Sequence, residues 1–213
     1  MNKKDIRNGL IIGAAVGLLS QPILANFAGP LASVEPLAGG TLRLAAFLFF
    51  LVLAPVALFV ASLLGRTVPV LYQFAKFSAV GSLNSFVDLG IFNLETFLLG
   101  SLPGTAIFAV FKAISFLAAT TNSYFWNKHW TFGAGGASSV GEVTKFYGVA
   151  IAGGLVNVGV ATLTRAAAPE AISANLWVNI IAPVAGIFTA LLWNFIGYKY
   201  FVFKEEAPVA TQD

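Results

Sequence analysis

Two residues of opposite charge, Asp88 and Lys112, stand inside otherwise apolar stretches. Gly81, Asn84, Asp88 and Glu95 follow one another at intervals of three, four and seven, which on a helix makes one polar stripe. Measured from Lys76 at about 1.5 Å per residue, Asn84 lies about 12 Å along, Asp88 about 18 Å and Glu95 about 28 Å. Counting back from Lys128 along the next apolar segment puts Asn122 about 9 Å and Lys112 about 24 Å in, between the heights of Asp88 and Glu95. Such a set can make a structural ion pair that registers two helices. It can equally offer an ammonium to an anion, with carboxylate and amides left for hydroxyl groups. Both hold if Lys112 exchanges partners.

The elements that position these residues follow from composition. Of 213 residues, 58% are hydrophobic and 10% charged, and the mean hydropathy is +0.84. So little polar surface cannot coat a water-soluble globule, and the chain belongs in lipid. An ionisable group at the centre of a membrane helix costs about 2.5–3.5 kcal/mol on insertion scales, so Asp88 and Lys112 are expected to face a bundle interior or wet crevice. Cysteine is absent and His129 is the only histidine, so neither a thiolate nor a multi-histidine metal site is expected. The net charge of +3, with no basic run, gives no ground for nucleic-acid binding.

Six segments are long enough to cross about 30 Å of hydrocarbon: Leu10 to Phe27, Leu44 to Leu64, Phe77 to Leu99, Ala106 to Asn127, Phe146 to Thr164 and Leu176 to Tyr198. The expected fold class is all-α, a polytopic membrane helical bundle. The first segment is diluted by Gln21, Pro22 and glycines in and beside it, and the basic start before it also fits a cleaved signal peptide. One side of the membrane receives Lys3, Lys4, Arg7, Arg66, Lys76, Lys128, Lys145, Lys199 and Lys204. The other receives Arg43 and Arg165, with Lys112 near it. This asymmetry puts both termini in the cytoplasm. Pro55 and Pro183 are expected to kink their helices. Glu205 to Asp213 reads as a frayed tail.

The chain also repeats itself. NSYFWNKHWTF at Asn122 to Phe132 and WNFIGYKYFVF at Trp193 to Phe203 both pass from an apolar run through an Asn and a closing Lys to an aromatic-x-Phe. In the register that aligns Lys76 with Lys145, Phe77 falls on Phe146, Asp88 on Asn157 and Gly90 on Gly159. Lys128 then matches Lys199, and Phe132 matches Phe203. The organisation read from this is an extra hairpin at residues 1–66, a four-helix domain of two parallel hairpin repeats at 72–204, and a tail at 205–213.

Lys76-Phe77 with Val80-Gly81, then Asp88, then Asn127-Lys128-x-Trp130-Thr131-Phe132, and the degenerate second ending Lys199 to Phe203, resemble GtrA-like membrane proteins. The resemblance covers about Tyr72 to Lys204 and leaves the first hairpin outside. The family usually has Arg where Lys128 stands, which keeps the charge and loses a planar fork. The resemblance implies a small membrane protein of cell-surface polysaccharide synthesis that moves polyprenyl-phosphate-linked sugars across the plasma membrane. A separate membrane-associated glycosyltransferase is the implied partner.

On that reading Lys112 takes the lipid phosphate, while Asn84, Asp88 and Asn122 bond sugar hydroxyls; Glu95, Asn127 and Lys128 complete the substrate-binding set. Lys128, His129 and Lys199 can capture a headgroup at the interface or simply anchor helix ends. Asn157 and Asn194 read as interhelical bonds. Four helices make a thin wall around a headgroup, which a homodimer or the extra hairpin would thicken. No soluble domain, clustered acidic ligands or phosphate loop appears, so no enzymatic activity and no cofactor are expected. Two other functions fit the same residues: a non-transporting partner that positions a glycosyltransferase, and a proton-coupled small-solute transporter with Asp88 as carrier.

Overall fold

A computed structural model describes residues 1–26, 40–99, 105–169, 177 and 181–203. The expected tail from Glu205 lies outside these, as do the starts or ends expected at Phe27 and Leu176. Among the described residues there are six α-helices and no strand: α1 (Lys3–Asn26), α2 (Gly40–Leu64), α3 (Pro69–Leu99), α4 (Thr105–Trp126), α5 (Val140–Ala166) and α6 (Ala182–Gly197). The chain is a polytopic helical membrane protein.

Among the described residues, four stretches are both long and apolar enough to cross a bilayer: Lys3–Leu24, Gly40–Leu64, Ala106–Thr131 and Val140–Ala166. Helix α3, at 31 residues, has the length, but Asn84, Asp88, Asn93 and Glu95 dilute its hydropathy. The described part of α6 has 16 residues, short of the roughly 20 a crossing takes. Pro183 falls in the first turn of α6 rather than in its interior.

Two compact units make up the chain, Met1–Asn127 and Lys128–Asp213. In the first, α1 packs on α2 and α3, and α3 packs on α4. Gly9, Gly13 and Gly17, spaced four apart, share one face of α1 and let α2 approach closely. A Cβ on Gly13 would stand 2.5 Å from the Phe50 carbonyl oxygen and 2.9 Å from Leu51 Cα, and one on Gly17 would stand 2.8 Å from the Phe47 ring. The glycines that dilute the first apolar segment are therefore its contact surface. Helix α1 also reaches α3, where a Cβ on Gly90 would meet the Leu19 carbonyl at 2.9 Å. Near their other ends, the Asp5 carboxylate pairs with Lys76 at 2.8 Å and accepts the Tyr72 hydroxyl at 2.9 Å. The first hairpin is thus built into the same unit as α3 and α4.

In the second unit, α5 and α6 form an antiparallel pair held by glycines against polar side chains. A Cβ on Gly186 would lie 2.5 Å from the Asn157 carbonyl oxygen, and one on Gly153 would overlap the Asn194 amide. Helix α5 starts on a serine cap: Ser139 is the N-cap, its hydroxyl accepts the Glu142 amide at 3.1 Å, and Glu142 sits in the first turn. The preceding loop turns at Gly133 (φ 64°) and Gly136 (φ 83°), left-handed conformations that glycine adopts without cost.

Both repeated signatures end in a π-helical turn, Asn127–Thr131 after α4 and Tyr198–Val202 after α6. Their closing rings meet. Phe132 stacks on Phe203 with centroids 5.5 Å apart, and Phe146 lies flat on Tyr198 at 4.2 Å.

Candidate functional site

The polar stripe of α3 faces α4 and forms a ladder with it. Asn122 donates its amide to Asn84 Oδ1 at 2.7 Å. About one helical turn further along α3, Lys112 Nζ pairs with Asp88 Oδ2, and the Ser115 hydroxyl donates to Asp88 Oδ1 at 2.6 Å. Both carboxylate oxygens therefore have a donor. Ser115 is fully buried and falls one turn from Lys112 on the same face of α4. It is a residue of the site that sequence reading missed, although its i+3 spacing from Lys112 carried the signal.

The ion pair is not closed over. Asp88 retains 24% and Lys112 45% of its side-chain exposure. Glu95 stays outside the ladder: Lys112 pairs with Asp88, and Glu95 Oε2 is buried without a hydrogen bond from a described residue.

Asn127 and Lys128 lie at the end of α4, away from the ladder, where Lys128 anchors the helix end. Lys128 is wholly buried; its ammonium lies 2.8 Å from Glu142 Oε1 and 3.2 Å from the Ser138 hydroxyl. The loop that folds back from Phe132, with the Ala134 amide on the Lys128 carbonyl at 2.8 Å, carries Ser138 and the α5 cap to it. Asn127, 1% exposed, donates to the Ser123 carbonyl and hydroxyl at 2.9 and 3.1 Å. Its Oδ1 accepts from no described group. These two residues hold the helix exit together; within the ladder, Asp88 and Lys112 are the partly exposed members. Among the described residues, no group of three or more histidine, aspartate or glutamate side chains is arranged to hold a metal.

The chain is a helical membrane protein with a partly exposed ionic ladder between α3 and α4. Residues 76–203 match the family GtrA/DPMS, transmembrane domain. The chain belongs to this family, whose members are membrane proteins of carrier-lipid sugar processing. Comparison with curated proteins returned no match, and comparison with solved structures returned none either.

Proposed function

We propose that this protein translocates polyprenyl-phosphate-linked sugars across the cell membrane for surface polysaccharide synthesis. The observation that carries the reading is the Asp88–Lys112 pair with one side open. A phosphate group competes with Asp88 for the Lys112 ammonium, and the carboxylate so released, with Asn84 and Asn122, accepts and donates hydrogen bonds to sugar hydroxyls. The isoprenoid tail stays in lipid. Lys128 and Asn127 fix the helix exit, and the α1–α2 hairpin thickens the wall beside α3 without the need for a homodimer. The protein acts as a carrier, not an enzyme, and a separate glycosyltransferase uses the sugar it delivers. Both termini lie in the cytoplasm, in keeping with the one-sided lysines.

The test is transfer of a labelled polyprenyl-phosphate sugar across proteoliposomes containing the full chain. Asp88→Asn and Lys112→Gln are each expected to slow transfer at least about tenfold, the equivalent of about 1.4 kcal/mol of barrier. Wild-type rates in both variants would overturn the reading. Retained binding to a glycosyltransferase with no transfer by the wild type would favour the docking role instead.

A further inference from the structure

The repeat register lays α5 on α3, and the two helices differ on one face. On α3, Lys76, Leu83 and Gly90 fall within about 40° of one another around the axis, on the face that takes the first hairpin. Lys76 pairs with Asp5 at 2.8 Å, Leu83 is buried, and a Cβ on Gly90 would stand 2.9 Å from the Leu19 carbonyl oxygen. Asp5 and Leu19 are fourteen positions apart, as are Lys76 and Gly90, so α1 runs parallel to α3 and in register with it over about 21 Å. The buried Ile12 and Val16 fall on the same side of α1 as Asp5 and Leu19. Close by, the Phe86 ring meets Phe50 of α2 at 5.1 Å.

On α5 the same positions hold Lys145, Ala152 and Gly159, with Gly148 beside them. Helix α6 takes a different face, about a quarter turn away, where it meets Val149, Gly153 and Asn157. On α3 the face toward α4, with Asn84 and Asp88, lies in the same direction from Lys76. The α5 counterpart of the α1 seat is exposed. Lys145 Nζ rests 5.7 Å from the Phe201 ring centroid and pairs with no described acid. A Cβ on Gly148 or Gly159 would meet nothing within 4 Å, and Leu155, the counterpart of Phe86, is 72% exposed.

Glycine weakens a helix and gains nothing from lipid, whereas a small residue lets a second helix come close. Gly90 serves that purpose on α3, and Gly159 stands ready for it on α5. Lys145 adds the charge that Lys76 gives to Asp5. A second copy of this chain does not complete the seat. A twofold pairing of α5 with α5 about the membrane normal sets Lys145 against Lys145, two like charges. The acid of α1 in a second copy is already held by its own α3, where Asp5 is 2% exposed.

We propose that the face of α5 from Lys145 to Gly159 docks a transmembrane helix of a partner membrane protein, one built like α1. That helix carries a carboxylate at the end that meets Lys145 and an aliphatic residue fourteen positions on that lies over Gly159. It runs parallel to α5. Its carboxylate draws Lys145 off the Phe201 ring into an ion pair, and its apolar stretch covers Ala152 and Leu155. The proposal goes beyond the carrier reading and uses no residue of the Asp88–Lys112 ladder.

The experiment uses the full chain in detergent and, as probe, a synthetic peptide of residues 1–26, the helix that fills the equivalent seat on α3. The chain has no cysteine, so single introduced thiols report position. Gly159→Cys is expected to form a disulfide with a Leu19→Cys peptide at a peptide concentration at least about tenfold lower than Gly154→Cys needs. Gly154 is equally open but lies on another side of α5. Added to Gly159→Cys, Lys145→Gln raises the concentration for half-maximal cross-linking about tenfold, and so does Asp5→Asn in the peptide. Lys145→Glu with an Asp5→Lys peptide restores it. Lys145 is exposed and Gly159 has room for a side chain, so these variants fold. No cross-link at Gly159, equal cross-linking at Gly154, or indifference to the charge at Lys145 overturns the proposal. So does a disulfide between two Gly159→Cys chains that the peptide fails to suppress, which would make the face a contact between copies.

Discussion

Phe132 and Phe203, which close the two copies of the repeated signature, stack on each other at 5.5 Å with their planes 25° apart. Seventy-one positions separate them by number, yet the duplication brings equivalent side chains into one contact inside the second unit. Phe195 and Phe146 join the same cluster, at 5.9 Å from Phe132 and 6.0 Å from Phe203.

Single Phe132→Ala and Phe203→Ala variants, with the double variant, complete a cycle whose coupling energy is expected to be about 0.5–1.5 kcal/mol. Denaturation of the detergent-solubilised protein measures it. Strict additivity would mean the rings contribute only area.

Breaking the Lys128–Glu142 pair strands an ammonium with no solvent access. Glu142→Gln is expected to cost about 3–5 kcal/mol, and Lys128→Met/Glu142→Leu to recover most of that loss. Equal stability of Glu142→Gln and wild type in the same denaturation assay would show that the Glu142 charge is not needed to hold the ammonium.

Glycines of one hairpin should part company. Gly186→Ala drives a methyl group into the Asn157 carbonyl and is expected to cost about 1–3 kcal/mol. Gly154→Ala meets nothing within 4 Å and is expected to be neutral or to stabilise by up to about 1 kcal/mol through helix propensity. Thermal unfolding of both variants side by side checks the contrast.

Tyr72 lies before the apolar span that opens at Phe77. Burial first, and then the hydrogen bond and charge of Asp5, hold its hydroxyl above the ordinary tyrosine range. A native pKa raised above the unfolded one contributes stability that is complete below the unfolded value of about 10 and declines as the pH rises beyond it. Tyr72→Phe is therefore expected to remove part of the alkaline slope in unfolding measured between neutral and high pH. An identical slope in the variant would count against the Asp5 contact.

The ladder was legible in the sequence because two antiparallel helices joined by a short connection make depth an arithmetic quantity. Counting turns from Lys76 and from Lys128 brings Asp88 near Lys112, and Asn84 and Asn122 fall at similar depths. Pairs that cross longer connections carry no such periodicity. Asp5 reaches Lys76 through the whole first hairpin, and Glu142 reaches Lys128 only because the Gly133 and Gly136 turns fold the loop back. The same limit hid the face of α1: Gly9, Gly13 and Gly17 lower hydropathy when read as composition and make a packing surface when read at a spacing of four. The π turns escaped for another reason, since the aromatic-rich endings that repeat have no residue preference that separates a five-residue turn from an ordinary one.

Each π turn keeps one surplus residue at the mouth of its helix. Deleting a single residue from Asn127–Thr131 would leave an unbroken α-helix instead of a gap, because the wider turn has already absorbed the extra residue and Phe132 keeps nearly its direction toward Phe203. Each hairpin exit thus tolerates the loss of its surplus residue on its own, so a one-residue length change in either copy leaves the pairing of the closing rings in reach.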